Sequence, residues 1–163
     1  MDKNPLQEVA IAINGRTVKA YVEPRKLLIH FIREQAGLTG SHVGCDTSYC
    51  GACTVLLDGK AVKACNVFAV QADGLPVMTV EGLETPEGLH ALQQCFSEHH
   101  ALQCGYCTPG MLMSALFHIQ TEAQVTEKSV RKALAGNVCR CTGYQNIIDA
   151  VVDAAHRLKG ETV

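Results

Sequence analysis

"GCDTSYCGAC", residues 44–53, places three cysteines on one short stretch rich in glycine, serine and threonine. With Cys65 it makes the pattern C-x4-C-x2-C-x11-C over Cys45, Cys50, Cys53 and Cys65. Three thiols on a tight loop and a fourth from a neighbouring strand can converge on a small volume, and the x4-then-x2 spacing is the plant-type signature of a [2Fe–2S] site. Structural zinc competes, but zinc ligands come as pairs of short knuckles, into which this triplet does not divide. Anionic sulfur needs backbone N–H groups aimed at it, and Gly40, Gly44 and Gly51 permit the required turns, as they would in any tight loop. His42, beside the loop, could donate a further hydrogen bond.

The flanking sequence reads as strands. "EVAIAI" and "RTVKAYV" alternate around Asn14-Gly15, the favoured two-residue hairpin signal, and "CTVLLDGKAVKAC" repeats the device around Asp58-Gly59. Between them "LLIHFIREQAG" carries a helical stripe (Leu27, Leu28, Phe31, Ile32) with Gly37 placed to cap its end. "GLPVMTVEGLETPEG" holds a last short strand, and strand-like composition stops there.

The remainder reads as helices. Thr85-Pro86 and Thr108-Pro109 look like helix starts, the first with a face of Leu89, Leu92 and Phe96, the second with Leu112, Ala115, Leu116 and Ile119. Thr126 is a candidate cap with Val125 and Val130 as a hydrophobic staple, and Gly136-Asn137 ends that helix. Thr142 and Gln145 have capping-box spacing before a face of Ile147, Ile148, Val151, Val152, Ala155 and Leu158. The expected boundary lies near residues 78–86, giving domains 1–80 and 81–163.

The helical half has its own cysteines: "QCGYCTPG" (103–110) and "CRCTGY" (139–144). Cys104 and Cys107, then Cys139 and Cys141, each precede an expected helix start, where unpaired N–H groups and the positive end of the dipole favour anionic sulfur. On spacing alone this set suits zinc as well as iron–sulfur. A second cluster beside the first would make an electron path. Cys95, the ninth cysteine, reads as a small buried hydrophobe on a helix face. His99 and His100 are adjacent, so they point to different faces and do not form a site. Glu81, Glu84 and Glu87 read as solvated.

Bulk properties exclude other classes. The chain has 163 residues, 47% hydrophobic, and a formal net charge of −2. Near balance, with scattered basic residues and no interleaved aromatics, it has no footprint for nucleic acid. No run is long and apolar enough for a membrane span, and the charged, proline-bearing start lacks a secretory pattern, so a cytoplasmic protein is expected. A reducing compartment turns the cysteines toward metal or redox chemistry rather than disulfides. Neither a phosphate loop nor a catalytic triad is visible.

"GCDTSYCGACTVLLDG…C", "QCGYCTPGM" and "GNVCRCTGYQNI", in that order, resemble the small iron–sulfur subunit of the molybdenum hydroxylases, the xanthine oxidase family, over roughly residues 8–158. "VEPRKLLIHFIREQAGLTGSHVGCDTSYCGACTV" and "FAVQADG" look most like the small subunits of aerobic carbon monoxide dehydrogenases and of bacterial N-heteroaromatic hydroxylases such as quinoline oxidoreductases. The resemblance implies an α+β fold: an N-terminal β-grasp, ferredoxin-like domain followed by an all-α four-helix bundle with a second [2Fe–2S] site and pseudo-two-fold symmetry. It implies a large subunit carrying a molybdenum pterin cofactor and the substrate, a medium subunit carrying FAD, and a dimer of heterotrimers. Electrons would pass from molybdenum to the Cys104, Cys107, Cys139, Cys141 cluster, then to the Cys45, Cys50, Cys53, Cys65 cluster, then to flavin. Gln103 would hydrogen-bond the pterin. Photosynthetic ferredoxins place their fourth cysteine much further along, which argues against the alternative of an independent two-cluster carrier.

Overall fold

The computed structural model describes residues 5–86 and 88–160. Both hairpin signals act as read. Asn14 and Gly15 take φ of +49° and +80°, so that β1 (Gln7–Ile13) and β2 (Arg16–Val22) pair antiparallel from Ile13↔Arg16 outward. Asp58 and Gly59 do the same for β3 (Thr54–Leu57) and β4 (Lys60–Lys63), with φ of +48° and +73°. The strand β5 (Pro76–Met78) joins the two hairpins, parallel to β1 and antiparallel to β3, giving a mixed sheet in the order β2-β1-β5-β3-β4.

The expected helix begins as α1 (Leu28–His30) and continues as a π-helical turn over Phe31–Gln35, and Gly37 at φ +71° ends it. Leu28, Ile29, Phe31 and Ile32 are all fully buried against the sheet. Their spacing, i, i+1, i+3 and i+4, puts them on one broad face of the helix. They share one core with Val9, Ile11, Ile13, Val55 and Val77.

The second core gathers α2 (Ala91–Glu98), α3 (Thr108–Thr121), α4 (Glu127–Ala133) and α5 (Gln145–Lys159), together with Leu56 of β3. Counting α1, that is five helices among the described residues. The helix α3 is buried continuously from Pro109 to Leu116, because it lies between the sheet and the other helices.

Two helix starts differ from the sequence reading. Thr85-Pro86 closes a turn: Thr85 and Gly88 exchange backbone hydrogen bonds, the Thr85 hydroxyl donates to the Gly88 carbonyl, and Leu89 is left exposed. The helix opens later, where His90 Nδ1 accepts from Leu92 N and Gln93 Oε1 accepts from His90 N. Thr142 is not a cap either. Tyr144, at φ +72°, precedes α5, and the Gln145 side chain is taken by Arg131 and Asp149. Thr126 caps α4 as expected, accepting from Ser129 N, with Val125 and Val130 buried beside it. Leu158 is exposed, and Glu87 lies outside the described residues.

Candidate metal centres

The loop from Gly40 to Cys53 has no regular structure and is held from outside. At its entry Glu81 Oε1 accepts from Gly40 N (2.7 Å) and Glu81 Oε2 from the Thr79 hydroxyl (2.6 Å), so Glu81 is an anchor and not the solvated residue expected. At its tip Asp46 and Ser48 take φ of +54° and +60°, which turns the chain tightly enough to bring Cys45 and Cys50 together. The N–H groups of Thr47 and Cys50 point at Cys45 Sγ, 3.4 and 3.3 Å away. With the Thr47 hydroxyl foremost, these donors hold the Cys45 thiol at about 6, well below the usual thiol range. Cys53 and Cys65 sit deeper and within hydrogen-bonding reach of each other, and burial pushes Cys53 up to about 12. Burial raises Cys50 as well, and Cys45 hydrogen-bonds it. The Ser48 hydroxyl lies 3.8 Å from Cys65 Sγ. A Cβ at Gly44 would lie 2.9 Å from Cys50 Sγ, so this position accepts only glycine without displacing the thiol.

The helical set also converges. Cys104 and Cys141 are exposed, with their sulfurs 3.5 Å apart. Cys107 occupies the N-cap of α3 and lies within hydrogen-bonding reach of the buried Cys139. Burial drives Cys107 up to about 12. Burial acts on Cys139 in the same sense, but the Thr142 hydroxyl, 3.2 Å away, and the N–H groups of Thr142 and Cys141 outweigh it and leave that thiol lowered. Thr142 thus faces sulfur instead of capping a helix. The Tyr144 hydroxyl accepts from Cys139 N at 2.9 Å, fixing the loop from the other side.

Both sets fit a thiolate-held cluster: each gathers four thiols, and in each at least one sulfur is met by backbone N–H and hydroxyl donors. They are joined across a close seam. Val138 N donates to Cys50 O at 2.8 Å, so a residue of the first set bonds directly to the neighbour of Cys139. Asn137, buried, donates to Gly51 O (3.1 Å) and accepts from the Ser114 hydroxyl (2.9 Å). Gly110 of α3 lies so close to Gly51 that a Cβ there would overlap the Gly51 carbonyl oxygen.

His42 does not point to sulfur. Its Nδ1 meets Tyr106 O at 2.8 Å, its ring stacks on Tyr106 at 4.5 Å, and the Tyr106 hydroxyl donates to Val43 O, which straps the two cysteine loops together. Asn137, Tyr106 and Lys63 escaped the sequence reading, since an amide, a phenol and an ammonium that bond backbone across the chain leave no periodic signal. Cys95 is buried as expected, and it adjoins Asp153 and Glu98. Arg157 already bonds both carboxylates, and His99 bonds Asp153, so a cation fills that cluster. Gln103 is exposed beside Cys104.

Two family models match. The "2Fe-2S iron-sulfur cluster binding domain" covers residues 11–76 and the "[2Fe-2S] binding domain" residues 79–152. The chain is 49% identical to the 6-hydroxypseudooxynicotine dehydrogenase complex subunit beta of Paenarthrobacter nicotinovorans, covering 91% of this chain and 93% of that one. It is 44% identical to the caffeine dehydrogenase subunit gamma of Pseudomonas sp. (strain CBB1), covering 88% and 87%. Its structure superposes on a chain of quinoline 2-oxidoreductase from Pseudomonas putida 86 with a TM-score of 0.89 at 45% identity, covering 97% and 99%.

Proposed function

The chain belongs to the small iron–sulfur subunits of the molybdenum hydroxylases, and on that premise we propose which residues hold its clusters and what they connect. It is an electron-transfer subunit of an oxidoreductase and not itself the site of substrate chemistry. In the proposed assignment Cys45, Cys50, Cys53 and Cys65 hold one [2Fe–2S] group and Cys104, Cys107, Cys139 and Cys141 the other. A bound [2Fe–2S] group supplies a one-electron donor and acceptor. The chain's own part is to hold the sulfurs, aim N–H groups at them, and keep the two sets at a fixed separation. The observation that carries this reading is the seam: the Cys50 carbonyl and the Val138 N–H, 2.8 Å apart, link the two sets through one hydrogen bond and a few covalent bonds.

The partners follow from the family. We assign the exposed Cys104 and Cys141 edge, with Gln103, to a large subunit carrying a molybdenum pterin, the Gln103 amide reaching the pterin. The Cys45 loop is assigned to a medium subunit carrying FAD, within a dimer of heterotrimers in the cytoplasm. No described helix is long and apolar enough to cross a membrane. The division into residues 1–80, as a β-grasp domain, and 81–163, with α2 to α5 as a four-helix bundle, is supported by two hydrophobic cores, the second of which draws in Leu56 of β3 across that boundary. The substrate class is an N-heteroaromatic compound rather than carbon monoxide, since caffeine, 6-hydroxypseudooxynicotine and quinoline name the relatives above.

The test is Cys104→Ser in the assembled complex. Substrate oxidation should uncouple from the external acceptor while the paramagnetic signal of the Cys45 set persists. Full acceptor-linked turnover would contradict the assignment, as would zinc in place of about four irons per chain.

A further inference from the structure

Lys63 ends β4, paired with Thr54, and its side chain reaches back over the cysteine loop. The Nζ donates to Ser48 O at 2.7 Å and to Tyr49 O at 3.3 Å. Ser48, held at φ +60°, is the residue whose hydroxyl lies 3.8 Å from Cys65 Sγ. Lys63 thus grips the one turn that lies between Cys45 and Cys50, and it does so only two positions before Cys65. Both acceptors are neutral carbonyls, so they orient the ammonium without cancelling its charge. The side chain is half-buried, on the wall of a cavity that Gly136 also lines. Water screens a charge so placed less than it screens an open one. Arg140, between Cys139 and Cys141 in the other set, is exposed on this chain.

We propose that Lys63 is a positioning residue that sets the order of the two clusters: its fixed ammonium beside the Cys45, Cys50, Cys53, Cys65 set favours that set's reduced form over the reduced form of the other. This rests on the ligand assignment above and deepens it. Reduction adds one negative charge inside the sulfur cage, and a nearby cation stabilises the more negative state, which raises the reduction potential. The direction suits a path that enters at the exposed Cys104 edge and leaves through the Cys45 loop. The grip on Ser48 O has a second effect, keeping the Ser48 hydroxyl against Cys65.

The experiment compares Lys63→Gln and Lys63→Arg in the assembled complex by redox titration of the two paramagnetic signals. Glutamine keeps a donor for the carbonyls and removes the charge; arginine keeps both. The glutamine variant should shift electron partition away from the Cys45 set by about tenfold, which is ~59 mV for one electron, with the midpoint of the other set unmoved. The arginine variant should match the parent. An unmoved Cys45-set midpoint in the glutamine variant overturns the proposal, and so does an equal shift of both sets. If the glutamine variant loses iron, Lys63→Met reads the same midpoint. Iron loss from both neutral variants would mark Lys63 as a structural peg and also overturn it. Failure of the ligand assignment looks different, because the parent complex itself would then lack two [2Fe–2S] signals.

Discussion

Gly110 shows how much one hydrogen atom in place of a methyl can decide. A methyl at this position would overlap the Gly51 carbonyl oxygen and stand 3.0 Å from Ala52 Cα, and because both are backbone atoms no side-chain rotation can relieve the clash. Gly110→Ala should therefore lower stability by at least ~1–3 kcal/mol, the range for overpacking a tight site, and should loosen iron at the Cys45 loop. Thermal unfolding and iron content check this together; a variant with the parent's melting temperature and full iron would refute it. The sequence grouped eight cysteines into two sets by spacing, and the structure brings the thiols of each set near one another. Gly110 was not legible in the same way, because what it avoids is a carbonyl 59 positions earlier, at Gly51. Thr142 was misread for a related reason. Threonine three residues ahead of glutamine fits a capping box, yet the same hydroxyl also suits a nearby sulfur, and the left-handed Tyr144 turns it that way.

At the scale of elements, α2 and α5 are tied by ions as well as by their apolar faces. His99 Nε2 and Arg157 both reach Asp153, and Arg157 also reaches Glu98. His99 first, then Arg157, holds the Asp153 carboxyl below its ordinary range. A carboxyl lowered in the folded state adds stability above its unfolded pKa, about 3.9, and that contribution disappears as pH falls through the lower folded value. Asp153→Asn should thus melt below the parent at neutral pH, with the gap closing in acid below about pH 4. A gap constant across that range would show that the ion pairs do not fasten these helices. The hairpins were readable because Asn-Gly and Asp-Gly turns impose their geometry locally. The start of α2 was not, since Thr-Pro serves a turn as well as a helix, and His90 is an uncommon cap. No local pattern announces the π-helical turn after α1.

For the molecule as a whole, the seam makes one unit of two cores. Asn137, buried, accepts from the Ser114 hydroxyl and adds a donor to the Gly51 carbonyl, which Thr54 also bonds. Asn137→Leu strips the buried Ser114 hydroxyl of its partner, at about 1–3 kcal/mol, and removes the cross-seam donor to the Gly51 carbonyl, which keeps only Thr54. Calorimetry should then resolve the single unfolding transition into two, and an unbroken single transition would show that the cores stay coupled without this amide. The two-part layout was visible in the sequence as a change from alternating to helical periodicity, but the way the parts lock was hidden in amides and glycines. The lock also bears on how the protein is made. The Cys50 carbonyl is met by Val138 N–H, and Asn137 joins Thr54 in donating to the Gly51 carbonyl, so the loop that carries Cys45, Cys50 and Cys53 reaches its final shape on the ribosome only once the chain through residue 138 has emerged.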